Sequence, residues 1–288
     1  MPQALSKHRW KLLLGLCSLI IVVGASIPAW RHYYPATVAS GWSLDVVHDD
    51  IPMVSALALA ANGGLYYSQG FTDAKGSIQR FDANGQTSAV LTGLSKPNGL
   101  LHFQGGLVTS QEQGEKSVIW TRNGENIRLF EGFNVEGLAT DGKRLYAIED
   151  TTPGRLLRFD ADSNQVSVLR EGLDEGEGLS LCADGRLFYS EKAKGVVRLW
   201  QADGSDPVVA AGMKDPGFLQ CTTDGLWVTE DATHMARVLL LNPQGELQVI
   251  VKHLRSAQTL IALSAGSYLF AEQGRKRILQ LNRLGAGS

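Results

Sequence analysis

From about residue 40 onward, apolar and polar positions alternate in short runs closed by glycine, asparagine or aspartate. Such alternation predicts half-buried strands. The pairs Asn84-Gly85, Asp203-Gly204 and Gln244-Gly245 are hairpin-turn chemistry. No segment in this region sustains a helical period. The runs recur as units covering 55–94, 98–133, 136–173, 177–213, 216–254 and 258–283, a period of about 40 residues that falls in the range of propeller blades. Each unit reads as four strands: an inner strand after Gly-Leu, a second such as "RLYAIE", a third such as "LLRFD" and a fourth such as "QVSVLR". The sixth unit ends after its third strand, "RILQLN". "WSLDVVHDD" (42–50) stands before the first inner strand with the pattern of a fourth strand. Pairing it with the last unit closes the ring and removes two bare sheet edges. The expected fold is therefore an all-β, six-bladed β-propeller closed by its N-terminal strand.

The N-terminus has another pattern. Residues 12–30, "LLLGLCSLIIVVGASIPAW", are apolar throughout and come after the basic stretch "SKHRWK". About 20 apolar residues suffice to cross a bilayer, and positive charge ahead of them predicts export of the chain beyond them. Two readings stand: an uncleaved anchor, or a signal peptide cut near Val23-Gly24-Ala25. The division expected is a signal-anchor at 1–30, a linker at 31–41 and a propeller at 42–288. The propeller is then membrane-anchored on the extracytoplasmic side, or secreted if the segment is cleaved.

Composition narrows the function classes. The net charge is −2 and no basic patch appears, so no nucleic-acid partner is expected. The chain has 32 glycines and 9 prolines, which fits many tight turns. Three cysteines make no disulfide framework. Cys182 and Cys221 fall at equivalent places in adjacent units and read as buried thiols, with a disulfide left open by spacing alone.

The position before Gly-Leu stays polar but changes in kind. Around the ring it reads Ser55, Asn98, Glu136, Glu177, Pro216 (preceded by Asp215) and Gln258. It opens each inner strand, so it belongs at one mouth of the central channel. The second strands end at the same face, on Gln69, Gln111, Glu149, Glu191, Glu230 and Glu272. Uniform Glu or Gln there reads as repeat chemistry that satisfies loop backbone. Clustered carboxylates repel each other, and a divalent cation relieves that repulsion. Asn98, Glu136 and Glu177, with Asp215 as a fourth, supply the hard oxygen ligands that calcium prefers. Capping of loop amides is the alternative role. His102 and His234 are candidate general bases, each also readable as a packing or solvated histidine. "DANGQ" and "DADSN" lack the later Glu of a calcium loop and read as turns.

At "KPNGLL", "VEGLATDGKRLYAIED" and "DGLWVTED" the chain resembles the six-bladed calcium-dependent propellers. These are the senescence-marker/gluconolactonase family, with paraoxonase, diisopropylfluorophosphatase and strictosidine-synthase-like relatives. The resemblance implies a calcium ion in the channel on Asn98, Glu136, Glu177 and Asp215, and hydrolysis of a small lactone or ester. His102, His234 or Glu149 would then activate a water. The chain departs from the family pattern at Ser55-Ala56-Leu57, where Glu-Gly-Pro is usual, and that absence favours the rival reading. The rival is a non-catalytic module that binds a ligand or a partner protein in the cell envelope. A quinone-dependent dehydrogenase is a weaker third reading, with no cluster of basic and aromatic residues to hold the cofactor.

Overall fold

The computed structural model describes residues 7–60, 63–112 and 118–285. The chain divides into two compact units, one up to Ala36 and one from Thr37. The first is a helix, Lys7–Tyr33, whose stretch Arg9–Ile27 is long and apolar enough to cross a membrane. Sheet structure begins before Trp42, because Thr37–Val38 already pair with the strand Leu247–Leu254.

The second unit is six antiparallel sheets arranged as blades. Their inner strands are Val54–Leu59, Pro97–Phe103, Val135–Thr140, Gly176–Leu181, Pro216–Thr222 and Ala257–Ser264. Trp42–His48 pairs antiparallel with Arg277–Arg283, with Leu44 opposite Leu281 and Val46 opposite Leu279. The sixth blade is thus completed by the chain's first long strand, as the repeat pattern predicts.

The apolar core lies between blades. Phe103, Val108 and Val118 of blade two meet Val135, Leu145 and Leu157 of blade three. Phe188 and Val197 of blade four meet Leu219, Val228 and Leu239 of blade five. Each strand presents alternate side chains to alternate neighbours, which is why the repeat shows a period of two.

The glycine of the Gly-Leu motif lets adjacent inner strands approach. A Cβ built on Gly137 would stand 2.4 Å from the carbonyl oxygen of Glu177, and one on Gly178 would stand 2.0 Å from that of Gly217. In every blade the ladder register also shifts just after the inner strand's first pair, for example between Val135 and Leu138. Side-chain hydroxyls satisfy the amides this bulge leaves unpaired: Ser110 accepts from Gly99 N–H at 2.7 Å and Ser190 from Gly178 N–H at 2.7 Å.

Cys182 and Cys221 form a disulfide that ties the inner-strand ends of blades four and five. This corrects the reading of them as buried thiols. Equivalent places in adjacent blades put their Cα atoms 5.2 Å apart, within disulfide reach.

Candidate functional site

Two stacked rings of side chains form one mouth of the channel. The lower ring comes from the inner strands, one residue past the pair that opens each ladder. It reads Ser55, Asn98, Glu136, Glu177, Gly217 and Gln258. In blade five the register sets Pro216 opposite Glu230, so the ring position is Gly217 and not Pro216. Asp215 falls outside the ring. It is half-buried, has a left-handed backbone (φ 48°), and its carbonyl oxygen accepts the Asp231 N–H at 2.8 Å.

The upper ring was not foreseen. It lies one residue beyond the second strands and reads Gly70, Glu112, Asp150, Lys192, Asp231 and Gln273. In all six blades this residue donates its N–H to the left-handed residue before the inner strand: Met53, Lys96, Asn134, Glu175, Asp215 or Ser256. The turn is one piece of chemistry repeated six times, and only the side chain it displays changes.

The preceding strand-end residues serve the scaffold. Glu149 accepts two hydrogen bonds from Arg155, at 2.7 and 2.6 Å, and one from Phe133 N–H at 2.8 Å. Glu191, Glu230 and Glu272 repeat the arrangement with Arg198, Arg237 and Arg277. Glu149 is therefore held away from the mouth as a loop-backbone acceptor, and the structure does not bring it to the candidate site. Nor does it bring the histidines there. His102 is exposed at the far end of its strand from Asn98, with Nε2 2.8 Å from the Leu59 carbonyl oxygen. His234 is half-buried in the loop between the second and third strands of blade five and does not line the mouth.

The mouth cavity is small, about 70 Å³, and its walls are mostly polar. A larger recess of about 240 Å³ opens at the other end of the channel and contains none of the predicted site residues. Inside the mouth the contacts are continuous. The Ser55 hydroxyl donates to Asn98 Oδ1 and lies 2.8 Å from Gln258 Oε1. Asn98 Nδ2 donates to Glu112 at 3.0 Å and to Glu136 at 2.9 Å. Gln258 Nε2 donates to Asp231 at 2.6 Å. Lys96 pairs with Glu112. Lys192 Nζ lies 3.0 Å from Glu177 Oε2 and 3.7 Å from Asp150 Oδ2. Glu177 Oε1 and Asp150 Oδ1 are buried without a hydrogen-bond partner.

Five carboxyl groups thus face two lysines in a small, polar space. Burial pushes the Glu136 carboxyl well above the usual carboxylate range, and Glu177, Glu112 and Asp150 push it further. Burial and then Asp231 raise Glu177 to about 8, against the opposing pull of Lys192. Burial also raises Glu112 and Asp231. It opposes the charge on Lys192, but Glu177, Glu136 and Asp150 outweigh it and hold the ammonium protonated.

Stability should therefore depend on pH with a definite sign. Below about 4.5, Glu177 is protonated whether folded or not, and its contribution to stability is fully present. As the pH rises to about 8, the unfolded chain releases the proton while the folded chain keeps it, so that contribution is lost. We expect the melting temperature to fall between pH 5 and pH 8 by roughly 5 °C, and the slope to flatten in Glu177→Gln. Parallel profiles for the two proteins in thermal melts across that window would contradict the assignment.

The residues at the mouth do not fit a resident calcium ion as they are arranged. Calcium takes six to eight oxygen ligands at 2.3–2.6 Å. Here Asn98 turns its amide N–H groups, not its oxygen, toward Glu112 and Glu136, and the Lys192 ammonium stands among the carboxylates that would be ligands. Among the described residues, no group of three or more His, Cys, Asp or Glu side chains has the geometry to hold a metal.

Fold and mouth together define a six-bladed propeller with a buried cluster of acidic groups and lysines at one end of its channel. No protein-family model matches the chain, and no curated protein matches it. Solved structures do. A gluconolactonase of Xanthomonas campestris superimposes with a TM-score of 0.71 at 13% identity, covering 86% of this chain and 94% of its own. A luciferin-regenerating enzyme gives 0.69 at 12% identity, covering 85% and 96%. A nidogen/laminin complex gives 0.59 at 16% identity, covering 68% and 79%. At these identities the likeness shows the fold, and the fold hosts both enzymes and binding proteins.

Proposed function

We propose that this chain is a hydrolase of a small lactone or ester that acts at the acidic mouth of the channel. The observation that carries the reading is Glu136. It lines the mouth cavity, is buried, is oriented by Asn98, and has its pKa raised well above an ordinary carboxyl's by burial and by Glu177, Glu112 and Asp150. A carboxylate so displaced is a stronger base than an ordinary one, which is the condition for drawing a proton from an attacking water. The ammonium of Lys192 is the donor placed to take the charge that develops on the carbonyl oxygen. The fold shared with a gluconolactonase supports the substrate class. A cavity of this size admits the reacting group, with the rest of the substrate outside the rim.

The helix would hold the propeller at a membrane, on its extracytoplasmic side. The basic residues at Lys7, Arg9 and Lys11 ahead of the apolar span support that orientation. So does the Cys182–Cys221 disulfide, which suits an oxidising compartment.

The test is a panel of lactones and esters offered to the full-length protein. Turnover is expected, and Glu136→Gln should lower kcat by about 100-fold with the fold intact. Full activity in Glu136→Gln would remove that residue from the chemistry. A second reading, a non-catalytic module that binds a ligand or an envelope partner, is favoured by the small cavity and by Phe133, 71% exposed in the turn before the inner strand of blade three. A panel with no turnover would select it.

A further inference from the structure

We propose that the Lys192 side chain is the resident cation of the channel mouth, standing where a divalent metal ion would otherwise sit. This role is independent of hydrolysis: it concerns which cation the mouth holds and would stand if no lactone were turned over.

Lys192 has the position for it. Of the twelve residues in the two rings, Lys192 alone is basic. It leaves the turn of blade four directly above Glu177 of the same blade. Its ammonium lies 3.0 Å from Glu177 Oε2 and 3.7 Å from Asp150 Oδ2 of blade three. The other lysine, Lys96, comes from the turn before the inner strand of blade two and is engaged by Glu112 at the side of the mouth.

Around it, two carboxyl groups have a buried oxygen with no other partner. Glu177 has no exposed surface, and its Oε1 has no hydrogen-bond partner. Asp150 Oδ1 is in the same condition. A buried carboxyl without donors is costly, and a positive charge beside it offsets that cost whenever its proton is released. Among the described residues, the Lys192 ammonium is the charge within ion-pair distance of both. Gly217 contributes to the same arrangement. Its missing side chain leaves room for Glu177, whose Oε1 would lie 3.1 Å from a Cβ built there.

The ammonium also excludes a metal. A divalent ion placed among Glu136, Glu177 and Asp150 would meet a like charge within ion-pair distance of two of its ligands. Asn98 would offer it N–H groups. The mouth thus already holds a covalently tethered cation that chelation cannot remove.

The experiment uses the full-length protein in detergent, titrated with calcium, magnesium, manganese and zinc and followed by thermal melting and calorimetry, with metal content measured on the purified protein. Wild type is expected to carry no stoichiometric metal and to show no metal-dependent rise in melting temperature. Chelator should leave it unchanged. Lys192→Met removes the charge and keeps the chain length. It should melt lower than wild type and recover several degrees on addition of a millimolar divalent ion. Lys192→Arg retains a cation and should show no such response. A stoichiometric metal in wild type, or a wild-type melting temperature that rises with metal or falls with chelator, overturns the proposal. So does a folded Lys192→Met that binds no divalent ion. If Lys192→Met does not fold, the wild-type and Lys192→Arg titrations still decide the question.

Discussion

A chain truncated to begin at Ile51 is expected to lose its cooperative fold, while one that begins at Thr37 keeps it. The shorter chain lacks the strand Trp42–His48, which forms the outer edge of the sixth blade, and the short Thr37–Val38 pairing on blade five. Without it, Arg277–Arg283 becomes an open edge carrying Ile278, Leu279 and Leu281, all buried at 1% exposure or less in the closed ring. An apolar strand with unpaired backbone groups is a template for association. Trp42 would go too. Its ring packs on Trp227 at 5.5 Å and Tyr268 at 6.2 Å, beneath Arg283. This contact couples the closing strand to blades five and six. Blades one and six also meet through Val54, Leu57 and Tyr67 against Leu269, Ala271 and Ile278, but Trp42–His48 is the segment whose backbone pairing completes the last blade. Circular dichroism melts and size-exclusion chromatography of the two truncated chains check the claim. A sharp transition in the shorter chain within about 3 °C of the longer one would show that closure lies elsewhere.

The closing strand was legible because deletion of one strand from a repeat leaves a visible gap. Six units and one orphan strand can be matched in a single way. The lower ring was legible in part for a similar reason. Asn98, Glu136 and Glu177 vary in kind where packing residues do not, and they do meet at the mouth. In blade five the same reasoning slipped by one residue, to Pro216 with Asp215 before it, because that blade has glycine where the others show a polar side chain. The upper ring was missed by one residue as well. The strand-end acids Glu149, Glu191, Glu230 and Glu272 are uniform because they share one job on the scaffold. The next position reads Gly, Glu, Asp, Lys, Asp and Gln, and it carries the signal of variation that had singled out the lower ring. A one-residue step along an extended chain reverses the face a side chain points to. His102 shows another limit. Counting in twos from Asn98 can give a face, but only the length of the strand says which end of the channel it reaches.

Replacing Gly178 with alanine should be among the most damaging single changes in the chain, although it adds one methyl group. Its Cβ would stand 2.0 Å from the carbonyl oxygen of Gly217, 2.9 Å from Leu219 Cγ and 3.0 Å from Ser190 Oγ. The nearest of these is backbone on the next inner strand and cannot turn aside. The two strands would have to part, breaking the Ser190 link that receives Gly178 N–H and reaches toward the Gly217 carbonyl at 3.2 Å. A cost of about 3 kcal/mol is expected, or about 10 °C in melting temperature for a domain of this size. Gly70 is the matched comparison. It belongs to the same mouth, and a Cβ there would meet nothing nearer than 3.7 Å, so Gly70→Ala should shift melting by no more than about 2 °C. Equal effects from the two substitutions would mean that the inner strands are not in contact through the glycine. The larger effect should also reach the ionic cluster. Gly178 comes directly after Glu177, and Gly137 comes directly after Glu136 and abuts the Glu177 carbonyl in the same way. The glycines of the motif hold the backbones of the mouth carboxylates against one another. Parting those strands should therefore bring the pH dependence of stability in Gly178→Ala closer to that of Glu177→Gln than to that of wild type.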